Sequence, residues 1–336
     1  MKPPRPLPPS SGAVVMALAI FALAAAPRLP AFGAGMALAI AWLLLPTWLF
    51  MALTFLAEGH AARGRDPVEA LAVGTWVAGT AVSAELLLRT LPFLHVPALA
   101  LGAIALGLWL WYLGLAWTGL RAVAGPASGA ATGVVLLPAV ATQSLLLLGH
   151  ALVGQRLPRA PALALIALGY GLYAVGAVLI LRRYLRQPHW RLAGDWDDTN
   201  CIVHGALSIS GLAGTVTGVL PTGAVLATWV AAAVLFVVVE GLEFARMAQR
   251  LRRLGLRRAV LVYDVPQWAR NFTVGMFYAF CVALQADAPA RAALATLGLD
   301  RLLAWLVAGG AWVVLLLLIV EAALMLADRR PPPVSA

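Results

Sequence analysis

Ten runs of mostly apolar residues, most of them about as long as a helix needs to cross a bilayer (~20 residues), follow one another along this chain. They cover 10–26, 32–57, 70–94, 96–120, 130–153, 161–181, 200–220, 222–244, 265–286 and 302–327. A water-soluble fold needs a charged surface, and the chain has little material for one. Apolar residues make up 62% and charged residues 11% of the sequence, and the mean hydropathy is +0.90. Soluble domains run nearer ~45–50% and ~25%. The expectation is an all-α, polytopic membrane protein with ten transmembrane helices in a single domain over 10–328. Proline-rich cytoplasmic tails are expected at 1–9 and 329–336. The longest polar connections, 182–199 and 245–264, are too short for a soluble domain.

Charge supports the count. Lys and Arg number 24 against 14 Asp and Glu. A basic chain can signal nucleic acid, but here the basic residues sit between the apolar runs, where they orient helices instead. With the N-terminus cytoplasmic, the inner segments carry Lys2, Arg5, Arg63, Arg65 and Arg121, the arginines between 182 and 191, those between 246 and 258, and Arg329 and Arg330. The outer segments carry only Arg28, Arg89, Arg156, Arg159, Arg291 and Arg301. This bias obeys the positive-inside rule and puts both termini in the cytoplasm. Adding or losing one internal span would scramble it. A rival reading makes the first run a cleaved secretory signal, leaving nine spans. The two cysteines, Cys201 and Cys281, form no disulfide framework or zinc spacing.

Polar residues are costly against lipid, so they mark the protein interior. They gather on alternate runs. The third carries Thr75, Thr80, Ser83 and Glu85, and the fifth Thr142, Gln143 and Ser144. The seventh carries His204, Ser208, Ser210, Thr215 and Thr217, and the ninth Gln267, Arg270, Asn271 and Thr273. The even runs are poorer in polar groups and hold most membrane tryptophans, such as Trp42, Trp48, Trp109, Trp229 and Trp305, rings suited to the headgroup boundary. The pattern predicts five helical hairpins with odd helices inside around a central pore and even helices outside. His204, Ser208, Gly211, Thr215 and Gly218 recur at spacings of four and three, placing one small, weakly polar stripe on a single helix face. Such a stripe serves tight helix packing or a pathway lining equally well.

On these odd runs the sequence resembles the tellurite-resistance and dicarboxylate transporter family, which includes the plant slow anion channels. Val77-Ala78-Gly79-Thr80-Ala81-Val82 is similar to that family's V-A-G-T-A-V stretch. Val140-Ala141-Thr142-Gln143-Ser144-Leu145 is similar to V-A-T-Q-S-L of bacterial members. Gly205-Ala206-Leu207-Ser208-Ile209-Ser210 with Leu212-Ala213-Gly214, and Tyr263-Asp264, Trp268, Phe272 and Gly275-Met276, match further stretches. The resemblance implies five hairpins around a pore, often as a homotrimer. It also implies passage of small inorganic or organic anions, and a pore occluded by a phenylalanine, here Phe272. The bacterial-type matches imply a bacterial inner membrane. The chain departs from the pattern at Thr273 in place of a proline, at Cys201 and Val203, and with charge at Glu85 and Arg270.

The residues expected to line the pore are Gly79, Ser83, Thr142, His204, Ser208, Gly211, Thr215, Trp268, Gly275 and Ala279, with Phe272 as gate. Trp268, Phe272, Gly275 and Ala279 share one helical face. Arg270 either attracts anions at the inner mouth or extends toward the cytoplasm. Glu85 precedes Arg89 by four residues, the favourable order for a helical ion pair. No catalytic motif, metal spacing or cofactor fingerprint occurs, so the expectation is no enzyme and no cofactor. The leading function is passive flux of small anions through a central pore. The alternatives are a proton-coupled dicarboxylate or sulfite transporter, and a membrane sensor or scaffold that transports nothing.

Overall fold

The computed structural model describes residues 7–57, 66–187 and 189–328. The tails at 1–6 and 329–336, with four basic residues of the inner-face count, and Arg63 and Arg65 besides, lie outside the described residues. The described residues are almost entirely helical, with no strand among them. Ten long helices match the ten apolar runs. They are α1 (Pro9–Arg28), α2 (Gly33–Ala57), α3 (Glu69–Thr90), α4 (Pro92–Ala124) and α5 (Gly133–Val153). The rest are α6 (Arg159–Arg186), α7 (Ile202–Thr217), α8 (Thr222–Leu254), α9 (Pro266–Ala286) and α10 (Asp300–Ala327). Eight are long and apolar enough to cross a membrane, which is compatible with an integral membrane protein. The two that fall short are α7 and α9, the helices richest in Ser, Thr, Asn and Gln.

Helix ends follow local chemistry. Pro92 cannot continue a helix, so α3 stops at Thr90 and the chain restarts with proline in the first turn of a new helix. Gly218 takes a left-handed φ of 64° after α7, and Pro221 then precedes α8. Two connections are more ordered than their polarity suggests. α6 runs on to Arg186 and α8 to Leu254, so much of 182–199 and 245–264 is helical. A short helix at Ala288–Thr296, capped by the Asp287 carboxylate on the Ala290 N–H at 2.9 Å, was not legible as an element in the apolar pattern.

The odd helices form the inside. α1 packs on α3, α3 on α5, α5 on α7, α7 on α9, and α9 back on α1, which closes the circuit. Each even helix packs against the odd helices before and after it in sequence, and α10 bridges α9 and the end of α1. Burial agrees: 94% of the apolar core of α3 is buried, against 22% of α2 and of α4. α1 is a structural member of the circuit, packed on both α3 and α9. Glycines let these inner helices approach closely. A Cβ at Gly12 would stand 2.6 Å from the backbone of Thr75 and Trp76, so α1 and α3 touch main chain to main chain.

One expectation about the outer set needs correction. Trp42, Trp111, Trp117, Trp305 and Trp312 are exposed, as boundary rings should be. Trp48 and Trp229 are buried instead, because their indole N–H groups point inward to bond the next odd helix. Trp48 donates to Thr80, and Trp229 donates to the Cys281 sulfur at 3.3 Å. The half-buried Trp109 donates to Thr142 at 3.1 Å.

Candidate functional site

The residues expected to line a pore occupy two kinds of position. Several have a neighbouring helix directly against them. Gly79 faces Val15 and Met16 of α1, Gly275 faces Ile20 of α1, and Gly211 faces the Phe280 ring of α9. Thr142 turns toward α4 through its bond with Trp109. His204 turns toward α8, where its Nε2 lies 3.2 Å from Glu240 Oε1 and its ring meets Phe236 edge-on. Ser83, Ser208 and Thr215 each return their hydroxyl to the carbonyl four residues back, to Gly79, His204 and Gly211. Such bonds satisfy the hydroxyl within its own helix.

On α9, Phe272 is 2% exposed and Trp268 equally buried, with the Trp268 indole donating to the Tyr263 hydroxyl at 3.2 Å. Ala279 is buried further along the same helix. Thr273, at the family's proline position, packs on Gly205, where a Cβ would stand 2.2 Å from its methyl. Every residue from Gly74 to Leu87 on α3 is buried on all faces.

Charge is concentrated on one side of the bundle. Arg270 lies 3.6 Å through Nε from Glu240 and 3.3 Å through Nη2 from Glu243. Glu243 also accepts from Arg246 at 3.0 Å, and Arg246 reaches Asp198 ahead of α7. His204, Glu240, Arg270, Glu243, Arg246 and Asp198 thus form one continuous polar chain across α7, α8 and α9. The Arg270 charge is met by carboxylates, a third outcome beside anion attraction and extension to the cytoplasm. Glu85 forms the expected pair with Arg89 at 2.7 Å. Asp197 accepts from the Thr199 N–H at 2.9 Å, an acidic cap ahead of α7.

Beside that chain of charges opens a cavity of about 460 Å³. Its floor is α9 at Arg270, Asn271 and Val274, and its walls are α8 and α10. Glu240 and Glu243 of α8 and Glu321 of α10 all line it. Their convergence was invisible because it depends on α8 and α10 standing apart over α9. The available signal was weak: each is an acid in an apolar run with no basic residue four positions later.

No protein-family model matches the chain, and no curated protein matches it. What the fold defines is a class: among the described residues, a helical protein with eight long apolar helices, compatible with residence in a membrane.

Proposed function

We propose that the chain is a transmembrane anion channel or transporter, with passive flux of small anions along a route enclosed by α1, α3, α5, α7 and α9 and occluded by Phe272. In this reading α7 and α9 cross the membrane too, giving ten spans in five hairpins. Their polarity is tolerable because even helices shield them. The observation that carries the reading is the composition of the closed inner circuit. Among the described residues of its five helices, the acids are Glu69 at the start of α3 and Glu85, which is already paired with Arg89. Rings of acid, which a cation path would need, are missing from those residues. The family resemblance supports the same reading, including a homotrimer, cytoplasmic termini and a bacterial inner membrane. The buried Phe272 ring fits a dry constriction, which bars hydrated ions.

The test is anion flux into liposomes holding the purified protein. Phe272→Ala is expected to raise flux about tenfold or more, as removal of a dry constriction should. Equal flux from both proteins and from protein-free vesicles would leave a sensor or scaffold as the better reading. One observation favours proton coupling to dicarboxylate or sulfite as a second reading: the buried contact between His204 and Glu240 offers a place for a transported proton. Uptake driven by a pH gradient, and lost in His204→Phe, would select it.

A further inference from the structure

From 86 to 194 the chain contains no Asp or Glu, yet it carries eight arginines. That stretch includes all of α4, α5 and α6, so one sector of the bundle has cations and no carboxylate of its own. The ion pairs among the described residues draw on Arg89, His204, Arg246 and Arg270, and none includes Arg121, Arg182 or Arg186.

The fold gathers those three. The ends of α4 and α6 meet, where Arg182 Nη1 donates to the Ala124 carbonyl at 3.4 Å. That carbonyl is one of the last of α4, which have no acceptor role left within their own helix. Trp117, Arg121 and Ala124 follow at spacings of four and three on one face of α4, and the Arg121 guanidinium lies 5.5 Å from the Trp117 ring centre. On α6, Arg182 and Arg186 stand one turn apart, with Leu181 and Leu185 beside them. Leu185 is 76% exposed and Trp117 64%, so the rest of the chain does not cover these apolar groups. Arg121 and Arg186 are exposed as well. Guanidiniums and bare apolar side chains therefore share one surface.

The depth of that surface follows from helix geometry. Arg159 opens α6, and Arg182 stands about 35 Å further along it at 1.5 Å per residue. Bilayer hydrocarbon is ~30 Å thick, so in a membrane Arg182 falls at headgroup level. Both α4 and α6 are long and apolar enough to cross.

We propose that the joined ends of α4 and α6 bind the headgroup of an anionic phospholipid, with Arg121, Arg182 and Arg186 around its phosphate and its chains on Trp117, Leu181 and Leu185. A guanidinium donates through a planar fork that matches phosphate oxygens. Basic clusters at the end of a membrane helix attract anionic lipid. A zwitterionic lipid also offers a phosphate, but its ammonium would find no carboxylate in this sector. A soluble polyanion would use the arginines and leave the leucines and the indole in water. The proposal rests on residence in a membrane and is independent of whether anions flow.

The test extracts the full chain from membranes of phosphatidylglycerol and phosphatidylcholine in equal amounts and measures the lipid carried with it by mass spectrometry. Phosphatidylglycerol is expected in excess. Arg121→Gln with Arg186→Gln keeps the Arg182 bond to Ala124 and should cut that excess about tenfold or more, at roughly fivefold per surface arginine. Arg156→Gln with Arg159→Gln removes the same charge at the opposite end of α6 and should leave the excess unchanged. Leu185→Gln, at an exposed site, should lower it by removing a chain contact. Glycerol 3-phosphate, a headgroup without chains, should displace none of the lipid. The proposal is overturned if the two lipids are carried equally, if the Arg121 and Arg186 variant carries what the parent does, or if the Arg156 and Arg159 variant loses as much. Displacement by glycerol 3-phosphate overturns it too and assigns the arginines to a soluble anion. Retention of neither lipid would count against membrane residence itself, whereas equal retention leaves that reading standing.

Discussion

The indole N–H of Trp48 donates to Oγ1 of Thr80 at 2.9 Å, across the boundary between an outer and an inner helix. The Thr80 hydroxyl passes its own proton to the Trp76 carbonyl at 2.7 Å, so both partners are satisfied in a fully buried setting. Thr80→Val keeps the shape and strands the indole. The expected loss is about 1 kcal/mol, typical of a hydrogen bond between membrane helices. Thermal unfolding of the purified variant measures it, and a loss no larger than for Thr54→Val, whose hydroxyl is exposed and bonded only to the Phe50 carbonyl, would remove the role assigned to the bond.

Arg270 holds two carboxylates, Glu243, which it shares with Arg246, and Glu240, whose other contact is His204. Arg270→Ala is expected to cost about 3 kcal/mol, the scale for leaving one member of a buried ion pair uncompensated. Removing the acids as well should recover part of it. The double variant Arg270→Ala with Glu240→Gln is therefore expected to unfold at a higher temperature than Arg270→Ala alone. Additive losses would show that Arg270 and Glu240 do not act on each other.

Gly12 and Gly107 form a matched pair of tests. A Cβ at Gly12 would press on the Thr75 and Trp76 backbone at 2.6 Å, and main chain cannot swing aside. Gly12→Ala should cost about 1–3 kcal/mol, as overpacking does. Gly107 on α4 has nothing within 4 Å of the same position, so Gly107→Ala should be neutral or stabilise by up to about 1 kcal/mol through helix propensity. Comparable destabilisation at both sites would contradict the close approach of α1 and α3.

Under the proposed transport function, Glu85 separates passive flux from proton-coupled uptake. Its carboxylate is bound by Arg89 on the next turn, an arrangement that holds a charge in place. Glu85→Gln is expected to leave passive anion flux unchanged and to abolish no pH-driven component. Loss of pH-driven uptake in that variant, with folding intact, would move the coupling proton from the His204 contact to α3.

The alternation of polar and apolar runs carried most of the architecture into view. Odd helices hide Ser, Thr, Asn and Gln because lipid offers these groups no partner, and that rule needs no knowledge of neighbours. Where the outcome depended on a partner's rotation, the sequence was silent. The contact of Thr142 with Trp109, and of Thr80 with Trp48, could not be read from the letters. His204, Ser208, Gly211, Thr215 and Gly218 form a small-residue pattern whose two meanings, packing and lining, are the same string of letters. Glu321 is one acid in an apolar run, and only the spacing of α8 and α10 over α9 gives it a cavity to face.

The circuit of inner helices closes between α1 and α9, segments separated by most of the chain. α1 has to wait for α9 before its second flank is covered. Until then the face of α1 at Ile20, which packs on Gly275, is uncovered. Assembly of this bundle is thus a ring whose clasp is fastened only once α9 is made, and any truncation between α1 and α9 should leave the helices before it present but the ring unfastened.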